Sequence, residues 1–289
     1  MTYMKSLITF VFFFLSNFIF CQSISDSIIL KKHIKEVRVL DTTNNLVSFT
    51  KYNTSGKIIY NSLDNFGGAT NLKTSITKFY DDNGNSIKTI STHSNFPNPT
   101  IWLHEYDKKG NRTSVKDEMG NLIFQFFYDD SNFLIKKVSY ENDEEEINKN
   151  KIRQIITYEK SVDGKKIISK IIGDFIKNRT NITYLDDNGN HIKIESYDGE
   201  KINFISSSIF EKNKLIKTIY DSGYGSNYIY NLLGLVIKKQ NFKIENGIEI
   251  LIGFEEFNYS NEGLLVSYIE NTFSERNLRK YRYEYVFYN

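Results

Sequence analysis

A short turn phrase recurs along this chain and constrains its fold more than any other feature. The phrase is an aromatic residue, two or three polar residues, a Gly or Asn, and a return to β-prone residues. Close copies are Tyr80-Asp81-Asp82-Asn83-Gly84-Asn85, Tyr106-Asp107-Lys108-Lys109-Gly110-Asn111, Tyr128-Asp129-Asp130-Ser131-Asn132 and Tyr184-Leu185-Asp186-Asp187-Asn188-Gly189-Asn190. Gly and Asn accept the positive φ that tight hairpins require. The repeat therefore predicts a series of β-hairpins.

Looser copies of the phrase extend the series in both directions. They pair Tyr52 with Gly56, Tyr158 with Gly164, Tyr230 with Gly234, and Tyr259 with Gly263. The spacing between leading tyrosines varies, whereas a coil of fixed length would keep a stricter period. We therefore expect hairpins of different lengths laid side by side. Each tyrosine is expected to cover the neighbouring hairpin with its ring while its hydroxyl reaches water.

Composition and residue alternation also favour strands. The 289 residues include 20 Tyr and 22 Phe but only 2 Pro; aromatic residues favour strands, and few prolines leave backbone donors free for ladders. Near the end of the chain, Tyr281, Tyr283, Tyr285 and Phe287 alternate with charged residues, as in a strand with one buried face. A short helix is predicted only within residues 25–35, a segment that fits equally well as a leader into a strand at 36–40.

The predicted fold is one all-β domain over residues 22–289, a repetitive antiparallel β-hairpin sheet. An open sheet, a closed barrel and a partial shell are all compatible with this pattern.

The N-terminus predicts export. Lys5 is the only charge before an apolar stretch at residues 7–20. A basic start followed by a short apolar core is typical of a secretory signal peptide, and a spanning helix needs about 20 apolar residues. We predict a signal peptide over residues 1–21, with cleavage after Cys21. Lipid anchoring at Cys21 is the alternative, disfavoured by the bulky residues before it.

The balance of charge and cysteine excludes several classes of function. The formal net charge is +2 at pH 7, which gives no electrostatic reason to expect nucleic acid or an anionic membrane as a partner. We predict no transmembrane span in the mature chain. Cys21 is the only cysteine, so cleavage after it removes disulfides, cysteine nucleophiles and zinc–thiolate sites. The acidic run at residues 143–146 is predicted to be a solvated loop between strands.

The turn phrase resembles the YD repeat of bacterial RHS-type proteins. The resemblance rests on Tyr80-Asp81-x-x-Gly84-Asn85 and Tyr106-Asp107-x-x-Gly110-Asn111, and the phrase recurs from about Tyr52 to Tyr259. In that family successive hairpins form a long curling sheet, sometimes closed into a shell around a toxin domain. The resemblance implies an open, curled or partly closed sheet and an exported surface role. We expect neither a shell-sized array nor a non-repetitive C-terminal toxin domain in this chain.

No residue pattern typical of an enzyme, a cofactor site or a metal site is present. The Asp-Asp-Asn-Gly-Asn stretches place their glycine too early for a calcium loop, and G-x-S-x-G and S-x-x-K motifs are missing. Glu255 and Glu256 are adjacent on a strand and so point to opposite faces. Four histidines are isolated, with no ligand spacing between them: His33, His93, His104 and His191. We predict a protein that is not an enzyme and holds no metal or cofactor.

Aromatic side chains are the remaining candidates for ligand binding. If exposed, they could stack on sugar rings; ordinary packing between hairpins is the favoured alternative, because aromatic residues on strands usually serve the core. The candidates are Trp102, Tyr224, Tyr228 and Tyr230. The leading hypothesis is a non-catalytic scaffold or binding module of the cell envelope, with a glycan or an envelope protein as partner. A component of an RHS-type competition or secretion system is the alternative, and a glycan-active hydrolase is the third.

Overall fold

A computed structural model describes residues 26–64, 73–141, 151–173, 176–273 and 277–288. These residues form one short helix, α1 (Asp26–Lys31), and 20 strands. The first ten strands are β1 (Ile34–Leu40), β2 (Leu46–Tyr52), β3 (Ile58–Asp64), β4 (Lys73–Tyr80), β5 (Ser86–His93), β6 (Phe96–Tyr106), β7 (Arg112–Lys116), β8 (Leu122–Tyr128), β9 (Leu134–Glu141) and β10 (Lys151–Lys160). The others are β11 (Lys166–Gly173), β12 (Ile176–Leu185), β13 (His191–Asp198), β14 (Lys201–Glu211), β15 (Lys214–Tyr220), β16 (Tyr224–Tyr230), β17 (Val236–Glu245), β18 (Ile248–Tyr259), β19 (Leu265–Thr272) and β20 (Asn277–Phe287). The predicted signal peptide with Cys21, and the acidic run at 143–146, lie outside the described residues.

The strands form one closed antiparallel sheet. Each strand pairs with the next along the chain, and β1 pairs with β20, where Val37 faces Tyr285 and Val39 faces Tyr283. Such a sheet is an up-and-down barrel, the arrangement that removes both edges. The prediction of an all-β antiparallel hairpin sheet is confirmed. The open, curled or partly closed sheet implied by the resemblance is wrong, because the last strand pairs with the free edge of the first.

The turns of the phrase share one hydrogen-bonded geometry. Asp81 N donates to Asn85 O at 3.0 Å, and Gly84 N donates to Asp81 O at 2.9 Å. The Asp81 carboxylate accepts two further bonds, from Asn85 N at 2.7 Å and Asn85 Nδ2 at 3.0 Å. The backbone pair recurs in turns 41–45, 53–57, 107–111, 117–121, 129–133, 186–190, 231–235 and 260–264. The amides of its own turn thus engage the Asp81 carboxylate, which explains the acidic residue without a metal.

Tyrosines at the ends of even-numbered strands tie successive hairpins together. Tyr80 Oη donates to the Ile58 carbonyl at 2.7 Å, and Tyr106 Oη to the Ser86 carbonyl at 3.0 Å. The same kind of bond joins Tyr128 to Arg112, Tyr230 to Leu215, Tyr259 to Val236 and Tyr285 to Leu265. The expectation that these hydroxyls point to water is wrong, because the strand ends bring each phenol within reach of a carbonyl in the preceding hairpin. We call this end of the barrel the tyrosine rim.

The copy at residues 184–190 departs from this pattern by one position. Asp186 opens its turn, so Leu185 occupies the place of the leading tyrosine. Tyr184 then points to the opposite face of the sheet, where its hydroxyl donates to Glu195 Oε2 at 2.8 Å. A one-residue shift in a strand moves a side chain to the other face, and it removes this tyrosine from the rim.

Strand pairing fixes the two faces of the barrel, since residues directly opposite each other share a face. The face that carries Tyr281, Tyr283 and Tyr285 is the inner one, because side chains from β17–β20, β1 and β2 converge there into one cluster. The outer face carries ion pairs on strands around the ring. They include Arg38–Glu36, Lys116–Glu105, Lys170–Glu159, Lys193–Glu195, Lys238–Glu256 and Arg282–Glu284.

The hydrophobic core lies against the strands that close the ring. Tyr268 stacks on Tyr281 with ring centroids 5.8 Å apart, and Phe257 lies 5.2 Å from Tyr268. Helix α1 packs beside this cluster through Ile29, which is 1% exposed. Burying one such side chain contributes roughly 2 kcal/mol. Of the two readings of residues 25–35, the structure shows the helix, followed by a strand that begins at Ile34.

The turn geometry predicts the effect of substitutions at Gly189, which has a φ of +81°. A Cβ atom there would meet nothing within 4 Å, so a change in stability would come from the backbone rather than a clash. We expect Gly189→Val to lower the free energy of unfolding by about 1–2 kcal/mol, because β-branched residues resist positive φ. Gly189→Asn is the control, since Asn44 and Asn132 adopt positive φ at the same turn position. Equal stability of Gly189→Val and the parent chain in denaturant titrations would refute this account of the turn.

Candidate ligand-binding surface

The four aromatic candidates do not form one site. Trp102 lies on β6, and Tyr224, Tyr228 and Tyr230 all lie on β16. Strands β6 and β16 are ten positions apart in a ring of 20 strands. The structure therefore places Trp102 and the three tyrosines on opposite sides of the barrel.

Two of the three tyrosines on β16 are part of the packed wall. Tyr228 and Tyr230 contact the hydrophobic cluster. Tyr230 Oη donates to the Leu215 carbonyl at 2.7 Å, and Tyr228 Oη accepts a bond from Thr218 Oγ1 at 3.2 Å. Burial raises the pKa of Tyr230. Tyr224 differs, since it is 45% exposed. The three residues therefore do not form an exposed aromatic row.

These environments predict different outcomes for removing a hydroxyl from β16. We expect Tyr230→Phe to lower the free energy of unfolding by about 1 kcal/mol, because a half-buried carbonyl loses its donor. Tyr224→Phe, on the same strand, is the control and should change stability by a few tenths of a kcal/mol at most. Thermal or urea unfolding of the two variants side by side gives the comparison. If Tyr224→Phe lowered the free energy of unfolding as much as Tyr230→Phe does, the hydrogen bond from Tyr230 to Leu215 could not be what stabilises the rim.

The opposite side of the inner wall carries a group of basic residues. The register from β1 to β6 places Lys78, Trp102 and His104 on the inner face. When the register is continued through β9, Phe124 and Phe126 on β8 and Lys137 on β9 fall on the same inner face as His104. Arg112 begins β7 and pairs with Tyr106. We call the set of Lys78, His104, Arg112, Lys137, Phe124 and Phe126 the basic wall.

Two aromatic rings hold two of these cations in place. The Arg112 guanidinium carbon lies 4.7 Å from the Phe126 ring centroid. Lys137 Nζ lies 4.3 Å from the Phe124 centroid and 5.8 Å from that of Phe126. Cations at these distances are attracted to the negative faces of the rings. The Phe126 ring is thus within reach of both cations and places them side by side.

His104 occupies the middle of the basic wall. Its Nε2 lies 3.0 Å from Thr89 Oγ1. Its Nδ1 is buried and has no hydrogen-bond partner among the residues that the structure describes. Burial, followed by the charges of Arg112 and Lys78, lowers the pKa of His104 to about 4. The imidazole is therefore neutral near pH 7, with one ring nitrogen unused by the barrel.

The cations of the basic wall lack carboxylate partners. Burial lowers the pKa of Lys78, and burial together with the charge of Arg112 lowers the pKa of Lys137. Across the described parts of the chain, neither lysine nor Arg112 forms an ion pair. On the other side of the lumen, Lys239 pairs with Glu255 at 2.7 Å. Burial acts to lower the pKa of Lys239, but the pair with Glu255 outweighs it and the pKa is raised.

Three members of this group do not stand out in the sequence: Lys78, Arg112 and Lys137. His104 stands there as an isolated histidine. A positional signal was available, because a residue two positions before a phrase tyrosine points to the same face. Lys78 stands two before Tyr80, just as His104 and Phe126 precede their own phrase tyrosines.

Several carboxylates of the sheet are engaged in structural contacts, with Glu195 as the clearest case. Glu195 Oε2 accepts bonds from Tyr184 and Tyr197, each at 2.8 Å, and Oε1 pairs with Lys193 at 2.6 Å. Lys193, then Tyr197 and Tyr184, lower the pKa of Glu195 to about 2. Glu255 and Glu256 point to opposite faces as predicted. Each pairs with a lysine of the neighbouring strand β17, Glu255 with Lys239 and Glu256 with Lys238.

The other histidines lie apart from the basic wall. His33 links α1 to β1, His93 ends β5, and His191 begins β13. Within the described ranges, no group of three or more His, Cys, Asp or Glu is placed to hold a metal ion. Nor is any helix in these ranges long and apolar enough to cross a membrane.

The depressed pKa of His104 can be measured by NMR titration of its imidazole. We expect a midpoint near pH 4, well below the ordinary value near 6.5. Lys78→Met should raise the midpoint, because it removes one of the two positive charges that disfavour protonation of this ring. The unfolded chain protonates this ring below about pH 6.5 while the folded chain does not until about pH 4. Its contribution to the free energy of unfolding should therefore fall as the pH drops through that window, and His104→Gln should remove that part of the pH dependence. A midpoint at or above pH 6.5 would refute the buried, cation-flanked environment.

Comparisons with known proteins give likenesses to solved structures only. No protein-family model matches the chain, and no curated protein matches it. The chain is similar to a porin-like protein from Bacteroides uniformis ATCC 8492, with 14% identity, a TM-score of 0.38, and coverage of 88% of this chain and 97% of that one. It is also similar to TcdB2-TccC3 without its hypervariable C-terminal region, with 14% identity, a TM-score of 0.25, and coverage of 87% of this chain and 17% of that one. Neither likeness identifies a family.

Proposed function

We propose that this chain is a non-catalytic binding module of the cell envelope or exterior, and that it binds a glycan along the inner wall between β5 and β9. One observation carries the proposal. On this wall, aromatic side chains share the inner face with hydrogen-bonding ones on half-buried strands, as Trp102, His104 and Phe124 illustrate. Sugar sites combine ring faces for stacking with a few well-placed polar groups.

The contrast between the two sides of the lumen supports this choice of wall. From β16 round to β2, the inner side chains bury one another in the tyrosine-rich cluster, which leaves little for a ligand to contact. Trp102 and Phe124 belong to neither of the two hydrophobic clusters. We place the guest molecule on this side of the lumen, where Trp102 and Phe124 are only partly buried.

The state of the carboxylates supports a non-catalytic role. A glycosidase needs two carboxyl groups facing one bond, one of them with a raised pKa. The most perturbed carboxyl group, Glu195, has a pKa lowered by Lys193 and two tyrosines and lies on the outer face. It is suited to holding strands together rather than to transferring a proton.

The outer face supports placing the barrel in an aqueous compartment. A barrel that spans lipid needs an apolar band around its outside. Here charged side chains such as Arg38, Lys193 and Glu256 occupy outer positions of strands around the ring, interspersed with exposed apolar ones such as Phe79 and Ile229. Together with the predicted signal peptide, this favours a periplasmic, outer-surface or secreted location.

A glycan array tests the proposal. Residues 22–289 are purified without detergent and screened together with the Trp102→Ala and Tyr224→Ala variants. We expect a reproducible glycan hit that Trp102→Ala abolishes and Tyr224→Ala retains, with circular dichroism confirming that both variants fold. A pull-down from the cell envelope runs alongside. If no glycan on the array binds and the pull-down recovers one dominant protein partner, the glycan proposal is refuted.

A component of an RHS-type competition or secretion system is the second candidate. The observation that favours it is the repeated tyrosine-led turn, in which Tyr80 and Tyr106 make the same bond to the preceding hairpin. In this case the envelope pull-down should recover a toxin or a secretion component, and genes for such proteins should lie beside this one.

A further inference from the structure

We infer that the basic wall is a binding site for an anionic glycan, one that carries carboxylate, sulfate or phosphate groups. This inference rests on the proposed glycan-binding function and specifies its ligand. The observation that carries it is the convergence of Lys78, Arg112 and Lys137 on one side of the lumen without a carboxylate partner among the described residues.

The charge distribution of the lumen supports an anionic ligand. Placing like charges close together on a half-buried surface costs free energy that nearby opposite charges normally offset. The barrel provides such partners elsewhere on its inner face, for Lys239 through Glu255 and for Arg279 through Glu270. In the basic wall the complementary charge is left to a ligand.

The arrangement of the cations suits a chain of sugars rather than a single ion. Lys78 lies on β4, Arg112 on β7 and Lys137 on β9. Neighbouring strands are about 4.8 Å apart, so the group extends over roughly 24 Å of the wall from β4 to β9. Several acidic groups along an extended oligosaccharide could meet these cations at once. Trp102 and Phe124 lie on the same inner face, on strands between β4 and β9.

His104 reports on an anion bound at this site. Its Nε2 lies 3.0 Å from Thr89 Oγ1, which fixes the ring on the inner face. Its Nδ1 is buried without a partner in the part of the chain that the structure describes. The imidazole reports on binding, because an anion placed beside it favours the protonated form. A neutral sugar in the same position would supply no such charge.

The experiment compares dextran sulfate with unsulfated dextran of the same length, using calorimetric titration of residues 22–289. We expect dextran sulfate to bind at least about tenfold more tightly, more weakly as NaCl is added, and with an upward shift of the His104 pKa. Oligogalacturonate, a carboxylated glycan, should bind as well. Inorganic sulfate is the probe for a simple ion site, and sulfate binding as tight as that of the polymer would overturn the glycan assignment.

Two adjacent lysines give a matched pair of variants. Lys137 lies on the inner face and Lys136 on the outer face of β9, where it contacts Phe127 with Nζ 5.4 Å from the ring centroid. We expect Lys137→Met to weaken dextran sulfate binding at least about tenfold and Lys136→Met to leave it unchanged. Lys78→Met on the inner face and Lys88→Met on the outer face repeat the comparison on β4 and β5, in case one variant fails to fold.

The outcomes separate this inference from the function on which it rests. Equal weakening by inner and outer variants would mean adsorption to the surface and would overturn the anionic site. Trp102-dependent binding of neutral glycans, with no preference for sulfated or carboxylated ones, would overturn the anionic site but keep the binding module. The absence of any glycan binding would refute both.

Discussion

The hydrogen-bond ladder between β1 and β20 is the interaction on which the rest of this structure depends. Without it, a sheet of 20 strands would expose two unpaired edges. The hydrophobic core is gathered on the strands beside this junction, where Tyr268, Tyr281 and the Ile29 side chain of α1 are buried. Tyr288 Oη also donates to the Tyr52 carbonyl at 2.5 Å, bridging the rim across β1. The core thus serves to join the two ends of the chain rather than to fill the barrel.

This use of the core divides the lumen into two unlike sides. Beside the closure, tyrosines and phenylalanines cover one another, and an inner cation such as Lys239 has its own carboxylate partner. Across the lumen, the rings of Phe124 and Phe126 instead hold Lys137 and Arg112 in position. Aromatic rings therefore have two roles in this barrel. Beside the closure they pack strands together, and across the lumen they position cations. A barrel with a uniform wall would offer a ligand no preferred side.

Local sequence patterns predicted the hairpins because their determinants are local. The Asp81 carboxylate and the positive φ of Gly84 act within five residues, so the turn can be recognised from its own letters. Closure depends on pairing between Val37 and Tyr285, which no local pattern encodes. The basic wall was missed for a related reason. Only strand register and bulges show that Lys78 and Lys137 share the inner face, and the shift that sends Tyr184 outward shows how one residue alters a face.

Closure of an up-and-down antiparallel ring has a consequence for how such a barrel can change in size. The first and last strands can pair antiparallel only if the strand count is even, so gain or loss of a single strand would break the ring. Gain or loss of a whole tyrosine-led hairpin preserves it. Each added tyrosine-led hairpin would lengthen the circumference by roughly 10 Å and bring a rim tyrosine that can bond the hairpin before it. The number of hairpins thus sets the diameter of the lumen, and duplication of a hairpin within the gene would widen the lumen in discrete steps.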